Sequence, residues 1–316
     1  MIRQILSSTP IPNGTTITDV SFADHGGSPL VVCADRYGGL WIWSPATGEW
    51  AAKPVPFAHA ADPVMEPYPD AGNEFDHIAL ADVGGRLLLA GGGDEQEPAV
   101  WDFETGEIVA RVPVTGAYLT DIVAVGGAFV TAEQYAERAR FWSPAPDRVL
   151  GEVSSLFCLA TARACGHDLV LAGGVGAVAW DAVTGAKIAS CYVDDNDERI
   201  WGVTACDAGG RSFVVGATEY GRVCVWNFDA GGTEEDYAQV KAAEGELEDV
   251  EVLTVDGRVL AVTAADGGGL RLWNVPDLGE AGHVSGHEVS VMEKALVDGR
   301  EVLITGGNDG TIRFWR

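Results

Sequence analysis

The chain has 316 residues, of which 47% are hydrophobic and 9% aromatic, and it carries ten tryptophans. This composition excludes a disordered polypeptide and allows a large buried core. Lysine and arginine number 20 against 47 aspartate and glutamate residues, which gives a formal charge of −27. A surface this acidic repels phosphate backbones and anionic lipids, so we expect no nucleic-acid partner and no membrane attachment.

The sequence has six cysteines, none in a Cys-x-x-Cys pair, and most lie within apolar runs such as LVVCAD and RVCVW. This setting is typical of buried, unpaired thiols in a reducing compartment. The first residues lack the apolar segment of a signal peptide, and no stretch has the length of a membrane span. These observations predict a cytoplasmic protein.

Seven tryptophans recur at intervals of 38 to 58 residues, and a glycine turn precedes each of them by 14 to 16 residues. A tryptophan and a glycine turn that keep nearly the same spacing in every unit indicate an internal repeat. Each unit reads as two apolar strands around the glycine turn, a third strand that ends on the tryptophan, and a more polar fourth strand. We find no helix and predict an all-β protein. The repeat tryptophans are Trp43, Trp101, Trp142, Trp180, Trp226, Trp273 and Trp315.

The repeat tryptophan is followed by Asp102 and Asp181 in two units and by Asn227 and Asn274 in two others. This pattern resembles the WD-repeat family of β-propellers over the whole chain. The resemblance implies one domain at 1–316, a seven-bladed β-propeller of four-stranded antiparallel blades. The last unit stops after its third strand, whereas a lone strand at about 3–7 opens the chain. In the family such a strand completes the last blade, so residues 1–8 are expected to close the ring.

The longest interval between repeat tryptophans contains an insertion at 57–75, whose three prolines predict a loop. The resemblance implies that this loop joins blades 1 and 2 on the face where partners of propellers dock. The insertion is either a neutral surface feature or a partner-contacting loop in which Tyr68 takes part.

The last unit carries His287, Thr305, Asp309 and Trp315 at places where the WD-repeat family has a buried hydrogen-bond relay. The resemblance therefore implies a structural relay that ties this blade together, since buried polar groups need partners. A His–Asp–hydroxyl set also suggests a catalytic triad. We favour the structural interpretation because the positions fit the family pattern.

Two tyrosines, Tyr37 and Tyr220, occupy the place that Asp309 has in the last unit. Without the relay, we expect the other blades to depend on apolar packing. Tyrosine and arginine are enriched in interface hot spots, so these turns are candidates for partner binding, the alternative being turn residues without a role. The candidate partner-binding residues are Arg36, Tyr37, Tyr68, Tyr135, Arg138, Trp201, Tyr220 and Arg222.

Asp19, His77 and Asp249 each stand eight residues before the end of a glycine turn, so we expect them around the mouth of a central channel. Three such groups could bind a metal or serve an enzyme, although no motif for a nucleophile, a phosphate or a metal supports that chemistry. A solvated acidic rim is the simpler interpretation. We predict a monomeric, non-catalytic scaffold without a cofactor that binds a protein or peptide, preferably a basic one. The alternative is an enzyme or a small-molecule or metal-binding propeller that uses the channel mouth.

Overall fold

The computed structural model describes residues 2–56, 75–93, 98–111, 119–133, 137–142, 148–193, 198–228, 237–265 and 268–316. No α-helix occurs in these ranges. Their strands are β1 Gln4–Ser7, β2 Ile17–His25, β3 Ser28–Asp35, β4 Leu40–Trp43, β5 Trp50–Ala52, β6 His77–Val83, β7 Arg86–Gly92, β8 Ala99–Asp102, β9 Ile108–Arg111, β10 Leu119–Val125, β11 Ala128–Glu133, β12 Arg138–Trp142, β13 Arg148–Glu152, β14 Cys158–Ala164, β15 His167–Gly174, β16 Gly176–Asp181, β17 Lys187–Cys191, β18 Ile200–Ala208, β19 Arg211–Thr218, β20 Arg222–Asn227, β21 Tyr237–Lys241, β22 Leu247–Val255, β23 Arg258–Ala265, β24 Leu270–Asn274, β25 Glu280–Val284, β26 Val289–Val297, β27 Arg300–Gly307 and β28 Ile312–Trp315.

These strands form seven four-stranded antiparallel sheets, the blades of a β-propeller, which confirms the predicted fold class. Each hairpin between a first and a second strand turns on glycine, as at Gly26 and Gly27 with φ of 63° and 79°. Such positive φ values suit the tight turns whose twist matches that of the flanking strands. Blades 1 to 7 consist of β2–β5, β6–β9, β10–β13, β14–β17, β18–β21, β22–β25, and β26–β28 with β1.

The ring closes where β1 pairs with β28 in the last blade, as predicted. The four side chains of β1 are all exposed, so this strand contributes mainly backbone hydrogen bonds. Its anchors are the flanking residues Ile2 and Ile11, which are 4% and 2% exposed. Ile2 packs into the core between blades 6 and 7, and Ile11 packs into the core between blades 7 and 1.

The hydrophobic core is divided into layers that lie between neighbouring blades. Trp101, for example, packs with Val32 of blade 1 and Leu89 of its own blade. Trp226 packs in the same way with Leu171 of blade 4. Because each sheet is covered on both faces, its strands are apolar at consecutive positions rather than at alternate ones.

None of the six cysteines forms a disulfide, and only Cys165, in the hairpin turn of blade 4, is exposed. Within the described ranges, the structure contains no helix with the length and apolar character needed to cross a membrane.

The two faces of the ring carry different connections. The loop face is defined as the face that bears the turns between the second and third strands of the blades. These turns lie at 36–39 in blade 1, 219–221 in blade 5 and 308–311 in blade 7. The first strand of each blade starts at this face, as the pairing of Ile17 with Asp35 shows. The opposite face bears the glycine hairpins and is called the hairpin face.

Candidate functional site

Tyr37 lies on the loop face with 70% of its surface exposed, on a turn that is held by a buried carboxylate. Asp35 accepts hydrogen bonds from the backbone N–H of Tyr37 at 2.7 Å and from that of Gly39 at 3.1 Å. Its second oxygen accepts bonds of 2.6 Å from the indole of Trp41 and the amide of Asn13. The tyrosine is therefore presented on a rigid turn.

Tyr220 is 56% exposed on the equivalent turn of blade 5. The hydroxyl of Thr218 accepts a bond of 3.1 Å from the N–H of Arg222, and Lys241 donates a bond of 2.6 Å to the carbonyl of Tyr220. A side chain at Gly221 would clash with the carbonyl oxygens of Ala243 and Gly245. This turn is therefore closely packed and held by hydrogen bonds from both sides.

Arg222 differs from the other candidate residues because its guanidinium points into the blade. It forms a bidentate ion pair with Glu198, a carboxylate that is 1% exposed, and the Arg222 side chain itself is 19% exposed. Blade 3 has a similar pair, in which Arg140 donates a bond of 2.8 Å to the buried Glu133. Blades without the relay therefore combine the expected apolar packing with buried ion pairs, which the sequence did not predict.

The remaining candidate residues lie at different depths. Arg36 is exposed beside Tyr37, and Arg138 is half-exposed with its Nε 3.8 Å from Glu152. Trp201 is partly buried at the channel mouth. Tyr68 and Tyr135 lie outside the described residues, as does most of the insertion at 57–75.

The polar set of blade 7 forms a shorter chain than the family relay. Thr305 Oγ1 accepts a bond of 2.9 Å from the indole of Trp315 and lies 2.9 Å from His287 Nε2. Asp309 instead accepts bonds from Thr311 and from Arg313 at 2.7 Å. Burial lowers the pKa of His287 to about 4, and the nearby Arg313 adds to this shift, so the imidazole is neutral at pH 7. His287 Nδ1 has no hydrogen-bond partner among the described residues, so Asp309 is not joined to His287.

A central channel forms a cavity of about 430 Å³, lined by the innermost strands of all seven blades. Asp19 and Asp249, predicted at its mouth, do line it, and so does His77. Each aspartate follows a bulge at the start of its strand, between Ile17 and Asp19 in blade 1 and between Leu247 and Asp249 in blade 6.

The aspartates of the channel join neighbouring blades. Asp19 accepts a hydrogen bond of 2.7 Å from Val20 N–H and another of 2.7 Å from Ile78 N–H of the next blade. The innermost strand of a blade is a sheet edge with unpaired N–H groups, and these carboxylates supply the missing acceptors. The matching bonds run from Leu159 N to Asp121 Oδ2 at 2.7 Å and from Met292 N to Asp249 Oδ2 at 3.1 Å.

The sequence did not predict Asp121 as a member of this set. The hairpin that contains Asp121 is shorter, since Asp121 pairs with Ala132 across the turn at Gly126 and Gly127. In the sequence we looked eight residues before the end of each glycine turn, and in this blade that position is Leu119. A usable signal was present: Asp19, Asp121 and Asp249 are each followed by valine or isoleucine. His77 lies beside Asp121, with 3.8 Å between His77 Nδ1 and Asp121 Oδ1.

Burial raises the pKa values of the channel carboxylates. The pKa of Asp249 rises to about 8, an effect of burial and of the neighbouring Glu251, against two backbone N–H donors that lower it. Burial also raises the pKa of Asp19, Asp121, Glu251 and Glu293. Within the described part of the chain, no three His, Cys, Asp or Glu side chains are grouped so that they could hold a metal ion.

Two aromatic rings stand at the channel mouth. Phe157 and Trp201 stack with 5.5 Å between ring centroids and 2° between planes. The guanidinium of Arg199 lies 5.2 Å from the centroid of Phe157. Both rings line the cavity that also contains Asp121 and Asp249. Aromatic faces and carboxylates together favour organic cations.

We expect the free energy of unfolding to fall between about pH 4 and about pH 8, by up to about 1.4 kcal/mol per pH unit for Asp249 alone. The folded state holds a proton on Asp249 up to about pH 8, whereas the unfolded state loses it near the ordinary value. The stabilisation is therefore complete at low pH and is lost as the pH rises through the folded pKa. Urea unfolding across this range measures it.

The variant Asp249→Asn serves as the comparison, because an amide cannot titrate. Its pH dependence should be flatter than that of the natural chain, and identical slopes would contradict the shifted pKa. The other titratable groups that line the channel, whose contributions both proteins share, are Asp19, His77, Asp121, Glu248, Glu251, Glu293 and Lys294.

No protein-family model and no curated protein matches this sequence. Solved structures match its fold. One of them is "Crystal structure of WD40 beta propeller domain of Doa1", which covers 100% of this chain and 97% of that chain with a TM-score of 0.69 and 12% sequence identity. At this identity the likeness shows the fold alone: the chain is similar to a WD40 β-propeller.

Proposed function

We propose that this chain is a non-catalytic scaffold that binds a protein or peptide on its loop face. The observation that carries the proposal is the pair of exposed tyrosines, Tyr37 and Tyr220, on turns that buried groups hold rigid. A rigid aromatic side chain makes a large contact and loses little conformational entropy on binding. The likeness to a WD40 propeller domain is in keeping with this role.

The proposed partner is basic. The chain has a formal charge of −27, and complementary charge raises the rate of encounter and disfavours acidic competitors. Arg36, beside Tyr37, and Arg138 extend the proposed surface across blades 1 and 3. Arg222 is excluded from it, because its guanidinium is already bound to Glu198.

We expect the double variant Tyr37→Ala/Tyr220→Ala to lose its captured partners by about tenfold or more, as removal of two hot spots does. The measurement is quantitative affinity capture from the source cell, with circular dichroism to show that the fold is intact. The control is Val183→Ala/Leu296→Ala, which removes two exposed apolar side chains, 78% and 65% exposed, at the hairpin face. An equal loss in both double variants, or no loss in the tyrosine variant, would refute the loop-face surface.

A further inference from the structure

Three blades carry a threonine on the second strand directly opposite an arginine on the third strand, two residues before the repeat tryptophan. Side chains of directly opposite residues lie on the same face of a sheet, about 5 Å apart. Each blade of this kind therefore places a hydroxyl and a guanidinium side by side near the loop face. The pairs are Thr131 with Arg140 in blade 3, Thr263 with Arg271 in blade 6, and Thr305 with Arg313 in blade 7.

In two of these blades the chain itself supplies a carboxylate to the arginine. Glu133 lies 2.8 Å from Arg140 Nε in blade 3, and Asp309 lies 2.7 Å from Arg313 Nη2 in blade 7. The two arginine side chains are 12% and 16% exposed. A guanidinium at this place in a blade therefore binds a carboxylate and is largely covered once it has done so.

Blade 6 lacks such a carboxylate. Glu133 stands two residues beyond its threonine, and Asp309 stands four residues beyond its own. In blade 6 these two places hold Ala265 and Gly267, neither of which is acidic. Arg271 is exposed, and among the described residues no carboxylate pairs with it. The third pair thus keeps the two groups that bind a carboxylate but has no carboxylate at the matching places.

A groove of about 560 Å³ opens at this place in blade 6, beside the connection from blade 5. It adjoins the loop face, since Gly268 and Gly269, in the turn between β23 and β24, line it. Thr263 and Arg271 line it together with His283, which is opposite Arg271 on β25. A row of three polar side chains thus crosses the blade along the groove. Its apolar wall consists of Ala242, Ala243, Leu247, Leu270 and Val284.

The hydroxyl of Thr263 provides a second, independent indication of a ligand. Thr263 is 1% exposed, and its Oγ1 accepts a hydrogen bond of 3.1 Å from the indole of Trp273. The hydroxyl proton has no acceptor among the described residues. In blade 7 the equivalent Thr305 has the imidazole of His287 2.9 Å away in addition to its indole. Buried donors are nearly always satisfied in proteins, so this proton on the wall of the groove indicates an acceptor in the groove.

The two donors favour an anion over a cation. A cation could not accept the proton of Thr263 and would be repelled by Arg271. Two exposed glutamates, Glu244 and Glu280, also line the groove, and neither forms an ion pair with Arg271. They oppose an anion at a distance, so its affinity depends on direct bonds to the guanidinium and the hydroxyl. Hydrogen bonds to a charged acceptor are the stronger kind.

We propose that this groove binds a small aliphatic carboxylate. Its oxygens accept hydrogen bonds from Arg271 and Thr263, while its hydrocarbon part lies against the alanine and leucine side chains of the wall. The ligand supplies from outside the group that Glu133 and Asp309 supply from within blades 3 and 7. The site uses neither of the exposed tyrosines, so it goes beyond the scaffold function and does not depend on it.

Titration of the full chain at constant ionic strength, followed by nuclear magnetic resonance, tests the site with isovalerate, isovaleramide and isoamylamine. The amide has the same shape as the acid without the charge, and the amine has the opposite charge. Isovalerate should bind at least about tenfold more tightly than either, because a charged acceptor strengthens the hydrogen bonds of the guanidinium and the hydroxyl. Equal binding of the acid and the amide, or no binding of isovalerate, would overturn the proposal.

Three single variants locate the ligand. Arg271→Ala should weaken isovalerate binding by about tenfold or more, since it removes the charged donor. Arg258→Ala removes another exposed arginine of blade 6, at the hairpin face and outside the groove, and should bind isovalerate as the natural chain does. Glu280→Gln removes a negative charge from the groove and should strengthen binding. Equal losses in the two arginine variants would show a general effect of charge and would contradict the site.

Two further positions test whether the groove lacks a carboxylate of its own. Ala265→Glu gives blade 6 the carboxylate that blade 3 has and should abolish isovalerate binding, whereas Ala265→Gln should retain it. Asp266, outside the described residues, is the neighbouring acid in the sequence, and Asp266→Asn should bind isovalerate as the natural chain does. Binding that occurs only in Asp266→Asn would refute the proposal, because the natural chain would then fill its own site. Tyr37→Ala/Tyr220→Ala should bind isovalerate normally, which separates this site from the scaffold function.

Discussion

Replacing Ile2 and Ile11 with alanine together should lower the free energy of unfolding by about 4–10 kcal/mol, since each buried Ile→Ala change costs about 2–5 kcal/mol. The two side chains are nearly fully buried in the two core layers that flank the closing strand β1. The total stability of a domain is about 5–15 kcal/mol, so the double variant should be largely unfolded or open at the seam. Urea unfolding followed by tryptophan fluorescence measures the loss.

The closing strand supplies its own control. Ile5 and Leu6 lie between the two anchors, in β1, but are 45% and 37% exposed. Ile5→Ala/Leu6→Ala removes the same kind of side chain from the strand that the two anchors flank, and should change the free energy of unfolding by less than about 1 kcal/mol. If both double variants lose equal stability, Ile2 and Ile11 are not the residues that stabilise the closure of the ring.

Arg222→Ala should lower the free energy of unfolding by about 3–5 kcal/mol, because it leaves the carboxylate of Glu198 buried without its cation. The Glu198 side chain is 0% exposed, and Arg222 donates a hydrogen bond of 3.1 Å to it through Nε while Nη2 forms an ion pair with the second carboxylate oxygen. The double variant Glu198→Ala/Arg222→Ala should lose less than the sum of the two single variants, since it removes the unpaired charge. Chemical unfolding of the three variants gives the coupling energy.

A surface ion pair provides the matched comparison. Arg163 and Asp168 are 2.9 Å apart, with side chains 74% and 53% exposed. Arg163→Ala should cost less than about 1 kcal/mol, because water screens an exposed pair. If Arg222→Ala costs as little as Arg163→Ala, the guanidinium of Arg222 is free for a partner after all, and the loop-face surface must be extended to include it.

The architecture was predictable from local features. Glycines allow the positive φ of the hairpins, as at Gly26 and Gly27, and the apolar runs and repeat tryptophans recur once per blade. These features depend on the conformation of a few consecutive residues and on burial of whole strands. They therefore appear in the sequence as a period, and the number of blades and the closing strand follow from that period.

The roles of individual polar residues depend on side-chain contacts that the repeat does not specify. Tyr220 and Arg222 are two positions apart, yet one side chain is exposed and the other is bound to Glu198, which precedes the first strand of the same blade. Asp309, at the family position, bonds to Thr311 and Arg313 rather than to His287. Such contacts depend on side-chain rotamers and on the surrounding residues. Neither repeats along the sequence, so neither can be predicted from the repeat.

The sequence alone thus determined the repeat, the strands and the closure of the ring, because backbone conformation and strand burial are written in neighbouring residues. Only the tertiary structure showed that Asp121 joins Asp19 and Asp249 in the channel. The hairpin of blade 3 is shorter, so Asp121 lies fewer residues before its glycine turn than the other two aspartates do, although it follows the same bulge in its strand. The tertiary structure also showed that Ile2 and Ile11, rather than the strand between them, anchor the seam. The first depends on hydrogen bonds between neighbouring blades, and the second on packing of the first residues of the chain against its last blades. Neither kind of contact can be seen in a run of consecutive residues.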